Sequence, residues 1–219
     1  MSNEDEAHRQ LVDHLIAKNA ISSDRIEAAF RMVARHSFLP GRSTRVAYED
    51  RPVVLRVDED GKLTSTASQP TMIAKMLDQL DAGVGDDVLE IGTGSGYEAA
   101  LLAEIVGQSG SVVSIEIDED LAEAARSSLA RSEHREVVVV TGDGRLAYEA
   151  RAPYDRIIVT AGSPEVENAW RDQLVSGGRL VVPLVNRWGS GFSVAFEKSE
   201  EQLVRLSELP CSFVLIHGE

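Results

Sequence analysis

Apolar and polar residues along this chain fall into two regimes, with the change near residue 71. Ahead of it, Leu11, Leu15 and Ile16 keep helical spacing. Ser22-Ser23-Asp24 then offers caps to a second helix whose apolar face carries Ile26, Ala29, Phe30 and Val33. Residues 37–71 show no clear period and are punctuated by Pro40, Gly41, Pro52, Gly61 and Pro70. An irregular stretch of that length is more often a cover over a site than a simple connector. Within it, Asp58-Glu59-Asp60-Gly61 reads as a turn between two extended runs.

Beyond residue 71 the pattern alternates. TMIAKMLDQL predicts an amphipathic helix, DDVLEIG a short strand, YEAALLAEIV a helix, SVVSIEID a strand and LAEAARSSLARS a helix. VVVVTGDG and YDRIIVTAG predict strands, and VENAWRDQL a helix. GRLVVPLV, GFSVAFEKS and QLVRLSELP are strand-like runs with no helices between them. The expectation is a doubly wound α/β fold with a mostly parallel sheet covered on both faces. The closing strands predict an antiparallel edge, and the first helices an N-terminal extension. The 219 residues suit one domain: residues 1–70 supply helices and a covering loop integral to a core over 71–219.

Charge narrows the partners. With 36 acidic against 22 basic side chains the formal net charge is −14, and no basic run is present, so nucleic acid is not an expected partner. The acidic surface reads as a solubility device. Cys211 is the sole cysteine, which excludes an intramolecular disulfide and a cysteine-built metal site. The five histidines show no metal-ligand spacing, so no metal is expected. MSNEDEAHRQ lacks the apolar centre of a signal peptide, and no apolar run reaches the ~18 residues of a membrane span. The expected setting is cytoplasmic, with no membrane partner, as a monomer or weak homo-oligomer.

The sharpest chemical feature is Leu89-Glu90-Ile91-Gly92-Thr93-Gly94-Ser95-Gly96-Tyr97, where the first core strand hands over to a helix. Glycines there permit a tight turn and close approach of a ligand to backbone N–H groups. The G-x-G-x-G spacing differs from the dinucleotide fingerprint and favours a ligand without a pyrophosphate. Taken alone, such a loop also reads as a plain strand-to-helix turn. Two acids change the balance. Glu116 closes the next strand 20 positions after Gly96, where a carboxylate accepts ribose hydroxyls. Asp143 follows the third strand beside Gly144, in reach of an adenine amino group. Carboxyl ends of successive strands form the crevice where open α/β sheets bind ligands, so the three features together indicate a nucleoside cofactor.

LEIGTGSGY, SIEID, GDGR and APYDRIIVTAG together resemble the protein-L-isoaspartate O-methyltransferase family of Rossmann-like enzymes, over nearly the whole chain. VARHSFLP followed by AYED, and QLVSGGRLVVPL, resemble further segments of that family. The resemblance implies S-adenosylmethionine as cofactor and S-adenosylhomocysteine as product. It implies that Glu90, Gly92, Thr93, Gly94, Ser95, Gly96, Glu116, Ile117, Asp143, Gly144 and Thr160 bind the cofactor. Thr64, Ser65, Thr66, Ala67, Ser68 and Gln69 match the family's acceptor segment, and Ser68 its active-site serine. Thr160 and Ala161 resemble its backbone contact to the acceptor peptide. Read without the family, the hydroxyls ahead of TMIAKMLDQL also suit an N-cap. Trp170 and Trp188 read as packing residues, with Trp188 in its turn able to border the acceptor cleft.

The implied activity is methylation of an aspartyl or isoaspartyl carboxylate in a peptide or protein. A small-molecule or RNA methyltransferase would share the glycine loop without the Ser68-Gln69-Pro70 segment. Two stretches depart from the family. RPVVLRVDEDGKLTSTASQP is longer and more charged than the usual segment, and LPCSFVLIHGE is a different ending. Both resemble the branch that modifies ribosomally made peptides such as lanthipeptides, lasso peptides and graspetides. The preferred expectation is therefore one dedicated aspartate in such a peptide, its ester passing to succinimide or isoaspartate, with general isoaspartate repair as the alternative.

Overall fold

Helix α1 (Asn3–Ala17) starts from a reciprocal capping box between Ser2 and Asp5, and α2 (Asp24–Met32) from Ser23, whose side chain accepts the Arg25 N–H. A short α3 (Thr44–Tyr48) follows. The computed structural model describes residues 2–200 and 202–217. Strands β1 (Val53–Val57) and β2 (Leu63–Ala67) then form an antiparallel hairpin that pairs Val53 with Ala67 and Val54 with Thr66. Residues 37–71 are thus more ordered than their lack of period predicts. The two extended runs around the Asp58–Gly61 turn were visible; their pairing was not, because register depends on both strands together.

The alternating region folds as its pattern predicts. It runs α4 (Pro70–Leu80), β3 (Asp87–Ile91), α5 (Tyr97–Val106), β4 (Ser111–Glu116), α6 (Glu119–Arg131), β5 (Val138–Thr141) and β6 (Tyr154–Val159). Then come α7 (Asn168–Asp172), β7 (Leu174–Val185), β8 (Ser190–Ser199) and β9 (Gln202–Ser212). The seven-stranded sheet has the order β5-β4-β3-β6-β7-β8-β9. Pairings from β5 to β7 are parallel, while β7–β8 and β8–β9 are antiparallel, the expected edge.

One expectation needs correction. VENAWRDQL contributes only five helical residues, and Leu174 already belongs to β7. The Gln173 carbonyl accepts the Tyr154 N–H (2.8 Å), and its side chain bonds Tyr148 N (2.9 Å) and Leu146 O (3.0 Å). Tertiary hydrogen bonding to the neighbouring strand ends the helix two residues before the apolar pattern does.

Successive residues of β3 face opposite sides of the sheet. Val88 joins one apolar cluster and Leu89 and Ile91 the other. The first cluster unites Leu11, Leu15 and Phe30 of the N-terminal helices with Leu77 of α4 and Leu101 of α5. The second gathers Trp170, Tyr154 and Leu180. Helix α5 lies between α2 and the sheet and is buried at every residue but Glu104, which is why its sequence is almost wholly apolar. The chain leaves β3 towards β4 and β5, then crosses back to place β6 on the other side of β3. That reversal opens a crevice at the carboxyl ends of β3, β4 and β6.

Candidate active site

A cleft of about 870 Å³ occupies this crevice. Its floor is the loop Gly92–Ser95. Gly92 has φ +104°, and a Cβ there would come within 2.5 Å of Thr160 Oγ1. Thr160 in turn donates its hydroxyl to Gly92 O (2.7 Å), so β6 clamps the loop from below. The hairpin closes the top: Leu55 and the Thr66 carbonyl lie just beyond Gly94. Arg56 pairs with Asp118 (2.7 Å) and Asp120 (2.7 Å) at the start of α6, which pins the hairpin across the cleft.

Among the described residues, three carboxyl groups line this space. Glu116 Oε2 accepts the Gly94 N–H (2.8 Å), Oε1 accepts the Asp118 N–H (3.2 Å), and burial raises its pKa. Glu90 is fully buried; one oxygen accepts from Ser114 Oγ, which also meets Thr93 Oγ1 at 2.6 Å. Its other oxygen, and Glu98 Oε1 on the first turn of α5, are buried without a protein partner. Burial pushes Glu98 up to about 8 and Glu90 well above the usual carboxylate range, the latter reinforced by the neighbouring Glu98 charge. Buried polar atoms are normally satisfied, so two orphaned carboxyl oxygens beside one cleft call for a cationic or hydrogen-bonding ligand. S-Adenosylmethionine fits that demand, since it carries an ammonium group and a sulfonium. Among the described residues no group of His, Cys, Asp and Glu has a metal-binding arrangement.

Of the residues expected at the cofactor, Glu90, Gly92, Thr93, Gly94, Ser95, Glu116, Ile117, Gly144 and Thr160 line the cleft. Two do not. Gly96 caps α5 with φ +83°, and a Cβ would meet Ala125 and Leu129, so its lack of a side chain serves the packing of α6. Asp143 is not among the residues that line the cleft, and Arg145 holds its carboxyl (2.6 Å) below the usual range. The neighbouring backbone, not that carboxylate, borders the cleft at Gly144. Trp170, wholly buried, donates Nε1–H to Gly144 O (2.8 Å) and so fixes this loop.

On the acceptor side, Thr64, Ser65, Thr66, Ala67, Ser68 and Ala161 line the cleft, while Gln69 does not. Gln69 Nε2 is bonded to Asp50 O (3.0 Å), and the residue borders an adjoining groove. The capping alternative for Thr66 and Ser68 fails. Gln69 is the N-cap of α4 without a side-chain bond, and Asp50 satisfies the helix start by accepting from Thr71 N (2.9 Å) and Thr71 Oγ1 (2.7 Å). The Ser68 hydroxyl has no protein partner among the described residues, and the residue lines both the cleft and the groove.

Sequence reasoning missed several walls. Arg35 in VARHSFLP is fully buried, donates to Ser68 O (2.9 Å) and lies 5.7 Å from the Tyr97 ring, so one cation spans the acceptor and cofactor loops. Residues 213–217 return to the cleft through Gly162 N–H to Val214 O (2.7 Å) and Ile216 N–H to Gly162 O (2.8 Å). Their apolar character was the available signal. Glu98 was readable only as one more polar position on a helix. Trp188 is 75% exposed beside the groove, so it borders the acceptor side and does not pack in the core.

A doubly wound sheet, a glycine loop beneath a cleft and acids at consecutive strand ends define an S-adenosylmethionine-dependent methyltransferase. Comparison with known proteins agrees and narrows the class. The chain belongs to the protein-L-isoaspartate(D-aspartate) O-methyltransferase (PCMT) family, whose sequence profile matches residues 6–219. Protein-L-isoaspartate O-methyltransferase of Methanoculleus marisnigri is 46% identical over 175 residues, covering 80% of this chain and 76% of that protein. The Hyperthermus butylicus protein of the same name is 37% identical over 222 residues, covering 98% and 90%. A solved protein-L-isoaspartate O-methyltransferase superposes with a TM-score of 0.88 at 33% identity, over 96% of this chain and 66% of that longer one. A Plasmodium falciparum relative solved with S-adenosyl-L-homocysteine shares the fold at 20% identity, with a TM-score of 0.83, over 96% of this chain and 98% of its own.

Proposed function

We propose that this enzyme methylates the free carboxylate of isoaspartyl residues in peptides and proteins, the repair reaction of its family. The observation that carries the reading is Ser68: an unpartnered hydroxyl on the wall shared by the cofactor cleft and the open groove. When bound, S-adenosylmethionine would supply an activated methyl group on a sulfonium for the acceptor oxygen. A carboxylate is already ionised at neutral pH, so no general base is needed. The protein's share is positioning and exclusion of water. Glu90 and Glu98, with their unpartnered oxygens, would hold the cationic end of the cofactor, and Glu116 the ribose hydroxyls. Ser68 orients the acceptor carboxylate by donating a hydrogen bond, without the tight hold of a cation. Arg35 sets the Ser68 backbone, and Phe213, Val214 and Ile216 keep the reacting centre dry. The following backbone nitrogen then displaces methanol from the ester to close a succinimide, whose hydrolysis returns aspartate and isoaspartate.

A second reading, a dedicated aspartate in a ribosomally made peptide, draws on the charged hairpin and the divergent tail, since Lys62, Leu63 and residues 212–215 border the groove. Turnover of unrelated linear isoaspartyl peptides against an aspartyl macrocycle separates the two. Efficient methylation of the linear set supports repair; activity confined to the macrocycle overturns it. Within either reading, Ser68→Ala is expected to retain cofactor affinity by calorimetry while kcat falls on the order of 10²-fold. Unchanged turnover removes Ser68 from its role.

A further inference from the structure

The groove that continues outward from Ser68 has a volume of about 1260 Å³ and shares Thr66, Ser68, Phe213 and His217 with the cofactor cleft. Its charge is unlike that of the molecule. The chain carries 36 acidic side chains and a net charge of −14, yet among the described residues no aspartate or glutamate lines this groove. Lys62 lines it from the hairpin and Arg187 from the turn between β7 and β8. Neither forms an ion pair among the described residues, although most arginines of this chain do. Two of the nearby acids are committed elsewhere, while Glu59 and Asp60 of the hairpin turn are exposed. Asp58 Oδ1 accepts the Asp60 and Lys62 N–H groups of the hairpin turn, and Asp50 is held by Thr71 and Lys18.

Arg187 is also prearranged. Its guanidinium lies 4.6 Å from the centre of the Trp188 ring, and that indole is 75% exposed. Stacking on an aromatic face restricts the guanidinium while leaving its N–H edge free for a planar carboxylate. The long-range field of an acidic protein repels an acidic peptide, so two unpaired cations flanking the acceptor path supply a local reversal of that field.

We propose that this groove selects acceptor segments with an acidic residue beside the methylated carboxylate, held by Arg187 and Lys62. The proposal rests on the carboxyl-methylation reading above, of which it names the preferred substrate class. The two cations come from separate turns that both border the groove, so the flanking acid fixes the peptide's register and leaves the target carboxylate to Ser68.

The test uses three isoaspartyl peptides identical except for Glu, Gln or Lys next to the isoaspartyl residue. KM is expected to rise from Glu to Gln to Lys, by about threefold to tenfold per step at low salt, and the three values converge as salt is raised. The Lys62→Glu/Arg187→Glu variant is expected to reverse the order; both side chains lie at the rim, and its melting curve verifies folding. Equal KM values for the three peptides, or an order unchanged in the variant, overturn the groove's role while leaving carboxyl methylation standing. Methylation of none of the three overturns the acceptor reading and the proposal with it.

Discussion

Glu90 and Glu98 put two carboxyl groups where a folded protein rarely tolerates one. Both are raised by burial, Glu98 to about 8, against an ordinary value of 4.5. Between those pH values the folded chain binds a proton that the unfolded chain has released. Stability from this source is therefore complete below about pH 4.5 and declines as pH rises towards 8. Glu98→Gln removes one titrating group and is expected to flatten the fall in melting temperature between about pH 5 and pH 8. An identical pH slope in the variant counts against this account. These residues also show what a sequence withholds. Glu90 was legible because it precedes a glycine loop; Glu98 became legible only when α5 turned it into the same dry space.

The hairpin β1–β2 is the element that converts an open crevice into a cleft. Its hold on α6 is Arg56 with Asp118 and Asp120, on an arginine side chain 38% exposed. A pair that wet contributes about 0.2–1 kcal/mol, so Arg56→Ala is expected to leave global stability almost unchanged. Its effect belongs to the hairpin: faster amide exchange over residues 53–67 and a faster cofactor off-rate, read by hydrogen exchange and stopped flow. Exchange unchanged across the hairpin would show that apolar contacts such as Leu55 against the glycine loop hold it alone. The two strands were foreseeable as extended runs on either side of Asp58–Gly61. Their docking was not, since it depends on charges more than 60 positions away.

Taken whole, the cleft is assembled from the N-terminal hairpin, three central strand ends and the tail, three parts far apart in the chain. A ligand there ties all of them to the folded state. S-Adenosylmethionine at a hundred times its Kd is expected to add about 2.7 kcal/mol to the unfolding free energy, measured by urea denaturation. A much smaller gain would mean that the cofactor binds the unfolded chain or that part of the cleft stays open. Among the described residues no helix is long and apolar enough to cross a membrane.

Periodicity and spacing by themselves determined the alternation of helices and strands, the antiparallel edge, the glycine loop and the acid closing β4. Those signals are local: a strand's alternation, a helix's stripe and a turn's glycine are written within a few residues. Tertiary structure alone decided that Asp143 pairs with Arg145, that Asp50 rather than Ser68 caps α4, and that VENAWRDQL stops short. It also brought Arg35, Glu98 and residues 213–217 to the site. Each of these outcomes is a competition among partners distant in sequence, and a side chain's choice of partner is settled by packing, where burial and reach are first defined.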